Sequence, residues 1–241
     1  MLILIRLPVI FTYFILINLV FLLICVVRPF HKNNVMLGSK MYASMAPLFG
    51  VRVKLRVSDK VKKGGPYVYI GNHQNSYDIV TICKATQPGT VTVGKKSLVW
   101  IPVMGWMYWL SGNILIDRKN STKARGTIAQ TVAKIRRRGI SVWLFPEGTR
   151  SYGRGLLPFK TGAFRIAKET KEPVVPICAS SLHDKIRLNR WNNGTVLVSV
   201  GEPEVVDDSR TLKEWATHFH GQMAHEIQLL DKEVEALDKG R

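Results

Sequence analysis

The chain has 241 residues, 35 Lys+Arg against 17 Asp+Glu, a formal net charge of +18 and 46% hydrophobic residues; that is enough for one globular domain with an appendage, and it excludes a disordered or collagen-like chain. Cys25, Cys83 and Cys178 lie in separate apolar runs, which gives neither a disulfide framework nor a zinc spacing. The positive surplus points to an anionic partner: nucleic acid, an acidic protein, a phosphate-bearing substrate or a membrane face. It is unevenly spread. Residues 202–241 hold ten acids and five bases, net −5, which leaves +23 on residues 1–201.

Between Arg6 and Arg28 run 21 residues without a charge. As a helix this is about 31 Å long, near the hydrocarbon thickness of a bilayer. A secretory signal fits less well, because the run is long for a signal core and Ile24 to Phe30 has no small-x-small cleavage pattern. A core helix also fits less well, because the run is apolar on every face. A second, amphipathic stretch spans 35–49, with Met36, Leu37, Met41, Met45, Leu48 and Phe49 interrupted by Ser39, Lys40 and Ser44. Residues 1–50 therefore read as a membrane-associated helical segment, either a span followed by an interfacial helix or a helical hairpin. Arg28, Lys32 and Lys40 follow the apolar run, which places the basic bulk on the cytoplasmic face.

Residues 51–241 alternate between strand-like and helix-like segments. Val51 to Val57 has strict period 2, apolar on one face and basic on the other, and short β-rich runs follow at 66–70, 90–93, 113–116, 141–145, 174–177 and 195–200. Residues 120–138 carry Ile128, Val132 and Ile135 on one helical face and stop at Gly139; 160–170 is another helix candidate. Leu212, Trp215, Phe219, Met223, Ile227 and Leu230 mark a long C-terminal amphipathic helix. The pattern predicts an α/β domain with a mixed, largely parallel central sheet flanked by helices. Sites in such sheets form at the carboxyl ends of strands, which directs attention to the segments after Ile70, Ile116 and Phe145.

After Ile70 comes Gly71-Asn-His-Gln-Asn-Ser-Tyr-Asp78. Ser76 fits an N-cap, Asp78 falls in the first helical turn, and a tight turn can bring Asp78 onto one ring nitrogen of His73. That arrangement holds an imidazole as a general base; a turn histidine within a capping network is the competing reading. After Phe145 comes Pro146-Glu-Gly-Thr-Arg-Ser151. Gly148 frees the backbone to turn closely around a ligand, and Thr149, Arg150 and Ser151 offer donors suited to phosphate. Glu147 repels phosphate, so it either holds Arg150 or binds a substrate hydroxyl; an ordinary solvent-facing turn competes with the whole block. After Ile116, Arg118 can add a second guanidinium, and Lys95 with Lys96 can add ammonium charge, against a reading of plain surface lysines.

Residues 98–110 are thirteen without a charge and include Trp100, Trp106 and Trp109. The stretch is too short to span a bilayer, and lining an acyl channel, meeting a lipid interface or forming a core helix all fit it. Gly89 to Lys95 mimics a P-loop, but Lys96 stands where the magnesium-binding Ser/Thr belongs. The chain has no Gly-x-Ser-x-Gly elbow. It also lacks a His-Glu-x-x-His pattern, so no metal is implied. Arg136 to Arg138 suit a helix end better than nucleic-acid readout.

His73 with Asp78, the Gly112 to Arg118 run, the Phe145 to Ser151 block and Val175-Pro-Ile177, in that order, resemble the four motifs of the glycerolipid acyltransferases, nearest to the bacterial 1-acyl-sn-glycerol-3-phosphate acyltransferases. The resemblance implies acyl transfer from an acyl carrier protein or coenzyme A thioester to the sn-2 hydroxyl of lysophosphatidic acid, giving phosphatidic acid for phospholipid synthesis. It implies His73 as general base, Asp78 as its orienting partner, and a phosphate site built on Arg150, Gly148 and Thr149 with Glu147, Arg118 and Lys95. Membrane lipids are expected partners, with the catalytic domain at the cytoplasmic face of the inner membrane if the source is bacterial. No cofactor, metal or nucleic acid is expected. Glycerol 3-phosphate or another lysolipid remains an alternative acceptor, and a non-enzymatic, membrane-anchored binder of anions is the alternative of a different class.

Overall fold

The computed structural model describes residues 1–101, 103–116 and 121–240. Its elements run α1 (Leu2–Val27), α2 (Asn34–Ala43), β1 (Arg52–Val57), α3 (Asp59–Lys62), β2 (Val68–Gly71), β3 (Thr90–Lys95), α4 (Met104–Leu110), β4 (Ile114–Ile116), α5 (Ser121–Arg138), β5 (Ser141–Leu144), α6 (Gly162–Thr170), β6 (Val174–Ala179), β7 (Thr195–Val200) and α7 (Leu212–Lys239). Short 3-10 turns occupy Ala46–Phe49, Ser76–Ile79, Ile82–Ala85 and Lys96–Trp100.

The strands form one sheet in the order β1-β7-β6-β2-β5-β3-β4. Only β6 and β7 pair antiparallel; the other neighbours are parallel. The sheet is thus mixed and largely parallel, as the alternation of segments predicts. Its central strands are apolar on both sides because both faces are covered. Val68 and Ile70 of β2 join one core with Val91, Val142, Phe164, Phe219 and Met223, while Tyr69 on the opposite face packs with Trp143, Ile177, Val198 and Ile82. Strand alternation splits neighbouring residues between these two cores.

Helix α7 presents Trp215, Phe219, Met223, Leu230 and Val234 to the first core, the spacing of one helical face. Phe219 and Met223 are fully buried, each contributing roughly 2 kcal/mol of transfer free energy. The helix opens with a capping box in which Thr211 accepts from the Glu214 N–H and Glu214 accepts from the Thr211 N–H. That reciprocal pair satisfies two donors a free helix end would leave open.

Helix α1 is long and apolar enough to cross a membrane by length and composition, yet one stripe of it is bound to the rest of the chain. Near its start the buried Arg6 guanidinium donates to the carbonyls of Leu188 (2.9 Å), Arg190 (2.6 Å) and Trp191 (3.3 Å). At its middle Tyr42 donates to Asn18 Oδ1 at 2.8 Å. Gly38 of α2 has no side chain because a Cβ there would meet the Phe21 ring at 2.6 Å. Near its end Phe21 and the fully buried Cys25 pack on Met107 of α4. The opposite stripe, with Leu4, Leu16, Leu19, Leu23 and Val27, is exposed.

Two expected elements come out differently. The 35–49 stretch is broken, because α2 ends at Ala43 and the Ala46–Phe49 turn closes on Gly50 with φ +70°. A Cβ at Gly50 would sit 2.3 Å from the Trp191 carbonyl. The 98–110 stretch divides between the end of a 3-10 turn and α4, where Met107 is buried while Trp100, Trp106 and Trp109 are exposed.

Candidate active site

Because β2 and β5 are parallel neighbours, their carboxyl ends deliver residues 72–78 and 145–151 to the same place. Two side-chain amides fix the first loop. The buried Asn72 extends the β2–β6 ladder by one step, its Oδ1 accepting from the Ala179 N–H (2.9 Å) and its Nδ2 donating to the Ala179 carbonyl (3.0 Å). Gln74 donates to the Ser180 carbonyl (2.9 Å) and accepts from the Leu182 N–H (2.7 Å). Sequence reasoning passed over both, although polar amides on either side of His73 are the signal that would find them.

The next turn is capped by Asn75, not Ser76, with Asn75 Oδ1 accepting from the Tyr77 N–H at 2.9 Å. Asn75 takes the role because its side chain reaches back over the turn. Asp78, buried in that turn, accepts from the Gln74 N–H (2.8 Å) and the Asn75 N–H (3.3 Å) and lies 2.6 Å from His73 Nδ1 with the same oxygen. A carboxylate facing Nδ1 selects the tautomer with its proton there, leaving Nε2 with a lone pair. Among the described residues Nε2 has no protein partner. The ring is held flat against Phe145, centroids 4.1 Å apart and planes 16° apart. The imidazole is thus fixed in tautomer and tilt by Asp78 and Phe145.

The second loop is stitched to the first: the Ser151 N–H donates to the His73 carbonyl (2.8 Å) and the Tyr152 N–H to the Gln74 carbonyl (2.9 Å). Glu147 departs from both roles expected of it. It is buried, its Oε1 accepting from the His73 N–H (2.6 Å) and its Oε2 from the Leu157 N–H (3.0 Å). Burial pushes its carboxyl above the ordinary range, and the two N–H bonds oppose that rise. Among the described residues it makes no ion pair with Arg150; its two oxygens join the loops through backbone N–H groups. The reason is geometric, since two inward N–H groups of a buried turn need an acceptor.

Gly148 turns the chain at φ +72°, conformational space that side-chain-bearing residues rarely adopt. Thr149 is exposed and Arg150 half-buried, the latter donating, among the described residues, to the Tyr152 hydroxyl at 3.3 Å. Arg154, by contrast, is spent on the carbonyls of Ser151 (2.8 Å) and Arg150 (2.9 Å). Lys95 ends β3, its backbone paired in register with Ile116 of β4, and its side chain lies outside the described part of the structure. Arg118 lies outside the described residues.

The nucleophile options are poor. Ser151 is buried, and burial pushes the thiols of Cys83 and Cys178 well above their usual range. Among the described residues no group of three or more His, Cys, Asp or Glu is placed to hold a metal. A cavity of about 140 Å³ behind the loops is lined by Glu147, Asp231, His183 and Asn72; its two carboxyls suit no anion. Neither His73 nor Arg150 is among the residues that line it. A base without a partner nucleophile suits deprotonation of an alcohol that attacks an already activated carbonyl.

The acyltransferase family model matches residues 52–180, which takes in both loops. The 1-acyl-sn-glycerol-3-phosphate acyltransferase of Escherichia coli (strain K12) is 47% identical over 238 residues, 97% of this chain and 96% of that protein. The enzyme of the same name from Haemophilus influenzae is 44% identical over 222 residues, 88% of this chain and 92% of its own. The crystal structure of the 1-acyl-sn-glycerophosphate acyltransferase PlsC from Thermotoga maritima superposes with a TM-score of 0.58 at 22% identity, over 90% of this chain and 96% of that one. That last likeness is one of fold.

Proposed function

The chain belongs to the acyltransferase family, among the 1-acyl-sn-glycerol-3-phosphate acyltransferases, and from that premise we propose how it works. It acylates 1-acyl-sn-glycerol 3-phosphate at the sn-2 hydroxyl, taking the acyl group from an acyl-carrier-protein or coenzyme A thioester. His73 Nε2 removes the hydroxyl proton as the oxygen attacks the thioester carbonyl. The C–O bond forms, the C–S bond breaks, and the imidazolium returns its proton to the departing thiolate. Asp78 holds the ring and stabilises its positive charge, as in other imidazole–carboxylate pairs. Arg150, with Gly148 and Thr149 shaping the turn, receives the acceptor phosphate; Lys95 and Arg118 remain candidates for the same anion. No cofactor enters, since a thioester is activated already.

The protein associates with the membrane through α1, and we read that helix as lying in one leaflet. Arg6 and Cys25 are held by the same body about 28 Å apart along the helix, so a perpendicular span would drag the catalytic domain through the lipid. The exposed apolar stripe faces the acyl chains, and the exposed Trp100, Trp106 and Trp109 beside the α1 terminus suit the interface. The basic region 1–201 then faces an anionic cytoplasmic leaflet and an acidic acyl donor.

The observation that carries the reading is the 2.6 Å His73–Asp78 contact, which leaves Nε2 without a partner among the described residues. The test is release of free thiol from an acyl thioester when 1-acyl-sn-glycerol 3-phosphate is added. We expect release with the wild-type protein and a loss of roughly 10²–10⁴-fold in kcat for His73→Ala, with the helical circular-dichroism signal unchanged. Turnover near wild type in that variant refutes the mechanism, and an anion binder that consumes no thioester refutes the activity.

A further inference from the structure

The long loop between β5 and α6 closes on itself, the Lys160 N–H donating to the Pro146 carbonyl at 2.9 Å. That closing bond returns Lys160 to the turn from which the loop departs. Its side chain runs over Gly148 so closely that a Cβ on the glycine would stand 2.8 Å from Nζ and 3.1 Å from the methylene next to it. The ammonium thus rests against the glycine, whose positive φ makes the turn.

Two cations therefore flank one turn, Arg150 two residues beyond Gly148 and Lys160 across it. Neither has a carboxylate within ion-pair distance among the described residues. The one acid in the turn, Glu147, has both oxygens engaged with backbone N–H groups beneath. Other bases nearby are differently employed: Arg154 caps two carbonyls, and Lys168 pairs with Asp208. Lys160 also stands just ahead of α6, whose N-terminus has no side-chain cap, so the helix adds partial positive charge. Two cations without a carboxylate partner among the described residues, beside one glycine turn, suit a shared anion.

We propose that the Lys160 ammonium is a second anchor for the acceptor's phosphate, opposing Arg150 across the Gly148 turn. The proposal rests on the functional reading above and adds a residue to it. A phosphate monoester carries enough charge and enough acceptor oxygens to meet both groups at once. Lys160 then selects the phosphorylated acceptor over an uncharged monoacylglycerol.

The experiment is steady-state kinetics on the full chain in mixed micelles, with Lys160→Met and Lys160→Arg beside the wild type. Lys160 is exposed, so both substitutions leave the core intact. Lys160→Met is expected to raise KM for 1-acyl-sn-glycerol 3-phosphate about tenfold, as for loss of one charge-assisted hydrogen bond. Its kcat and its KM for the acyl thioester should stay within about twofold of wild type, and Lys160→Arg should recover most of the acceptor affinity. An unchanged acceptor KM overturns the proposal. So does a rise confined to the thioester KM, which would assign the ammonium to the donor's phosphate, or a fall in kcat that Lys160→Arg does not rescue. If the wild type releases no thiol, the functional reading fails and this assignment fails with it; if the wild type turns over and Lys160→Met does so equally well, this assignment alone falls.

Discussion

The buried Glu147 accepts two backbone N–H bonds, and those bonds join the His73 loop to the segment around Leu157. Replacing it by alanine leaves both donors unpaired, a loss of about 2–4 kcal/mol. Glu147→Ala should therefore lower the midpoint of urea unfolding and reduce kcat, because the His73 backbone is no longer braced. A pH signature accompanies it. Burial holds the folded carboxyl above its ordinary 4.5, so the folded state retains a proton that the unfolded chain has released. The group's stabilising contribution is present below pH 4.5 and declines as pH rises through the raised value. Unfolding curves across that interval should show the slope in the wild type and its loss in Glu147→Ala. At this scale the His73–Asp78 contact was legible because a base and its orienting acid are recognisable by residue type in a strand-to-helix loop. The backbone bonds of Glu147 were not, because an acid beside a cation reads as an ion pair until the backbone shows where the carboxylate points. The approach of Lys160 to Gly148 was not, because eight residues lie between it and Ser151 and only loop closure returns it.

At the scale of elements, the sequence shows why α1 is a helix and why it meets lipid, but one stripe of the run is only locally distinguishable. Arg6 reads there as a flank of the apolar segment, whereas in the fold it caps three carbonyls of the 188–191 loop. Arg6→Ala should cost about 2 kcal/mol and release the start of α1 from that loop. Trypsin, which cleaves after Arg187 and Arg190, should then cut the loop faster than in the wild type, while the sheet stays resistant. Equal cleavage rates would mean that α1 is not seated along the domain.

For the molecule as a whole, the proposed membrane contact combines two attractions of different range. The +18 net charge works through a Coulomb field screened over about 10 Å at 0.1 M salt. The exposed stripe of α1 acts by apolar burial, which moderate salt leaves largely unchanged. Binding to anionic vesicles should therefore weaken several-fold between low and high salt and level off at a residual value. Binding to neutral vesicles should stand near that residual value throughout. Co-sedimentation over a salt series measures both, and complete release from anionic vesicles at high salt would remove α1 from the lipid contact.

The net charge, its concentration in residues 1–201, the apolar run and the strand–helix alternation were all determined by the sequence, since each depends on residue type and on spacings of 2 or 3.6 that local chain geometry imposes. The sheet order, the reversal of β1 and β7, and the meeting of the two loops were decided only in the tertiary structure. They depend on which strands pair, and pairing couples residues far apart in the chain. The same holds for the charges. The sequence counts the cations, but only the fold shows which are taken up by carbonyls and carboxylates and which, like Arg150 and Lys160, have no carboxylate partner among the described residues.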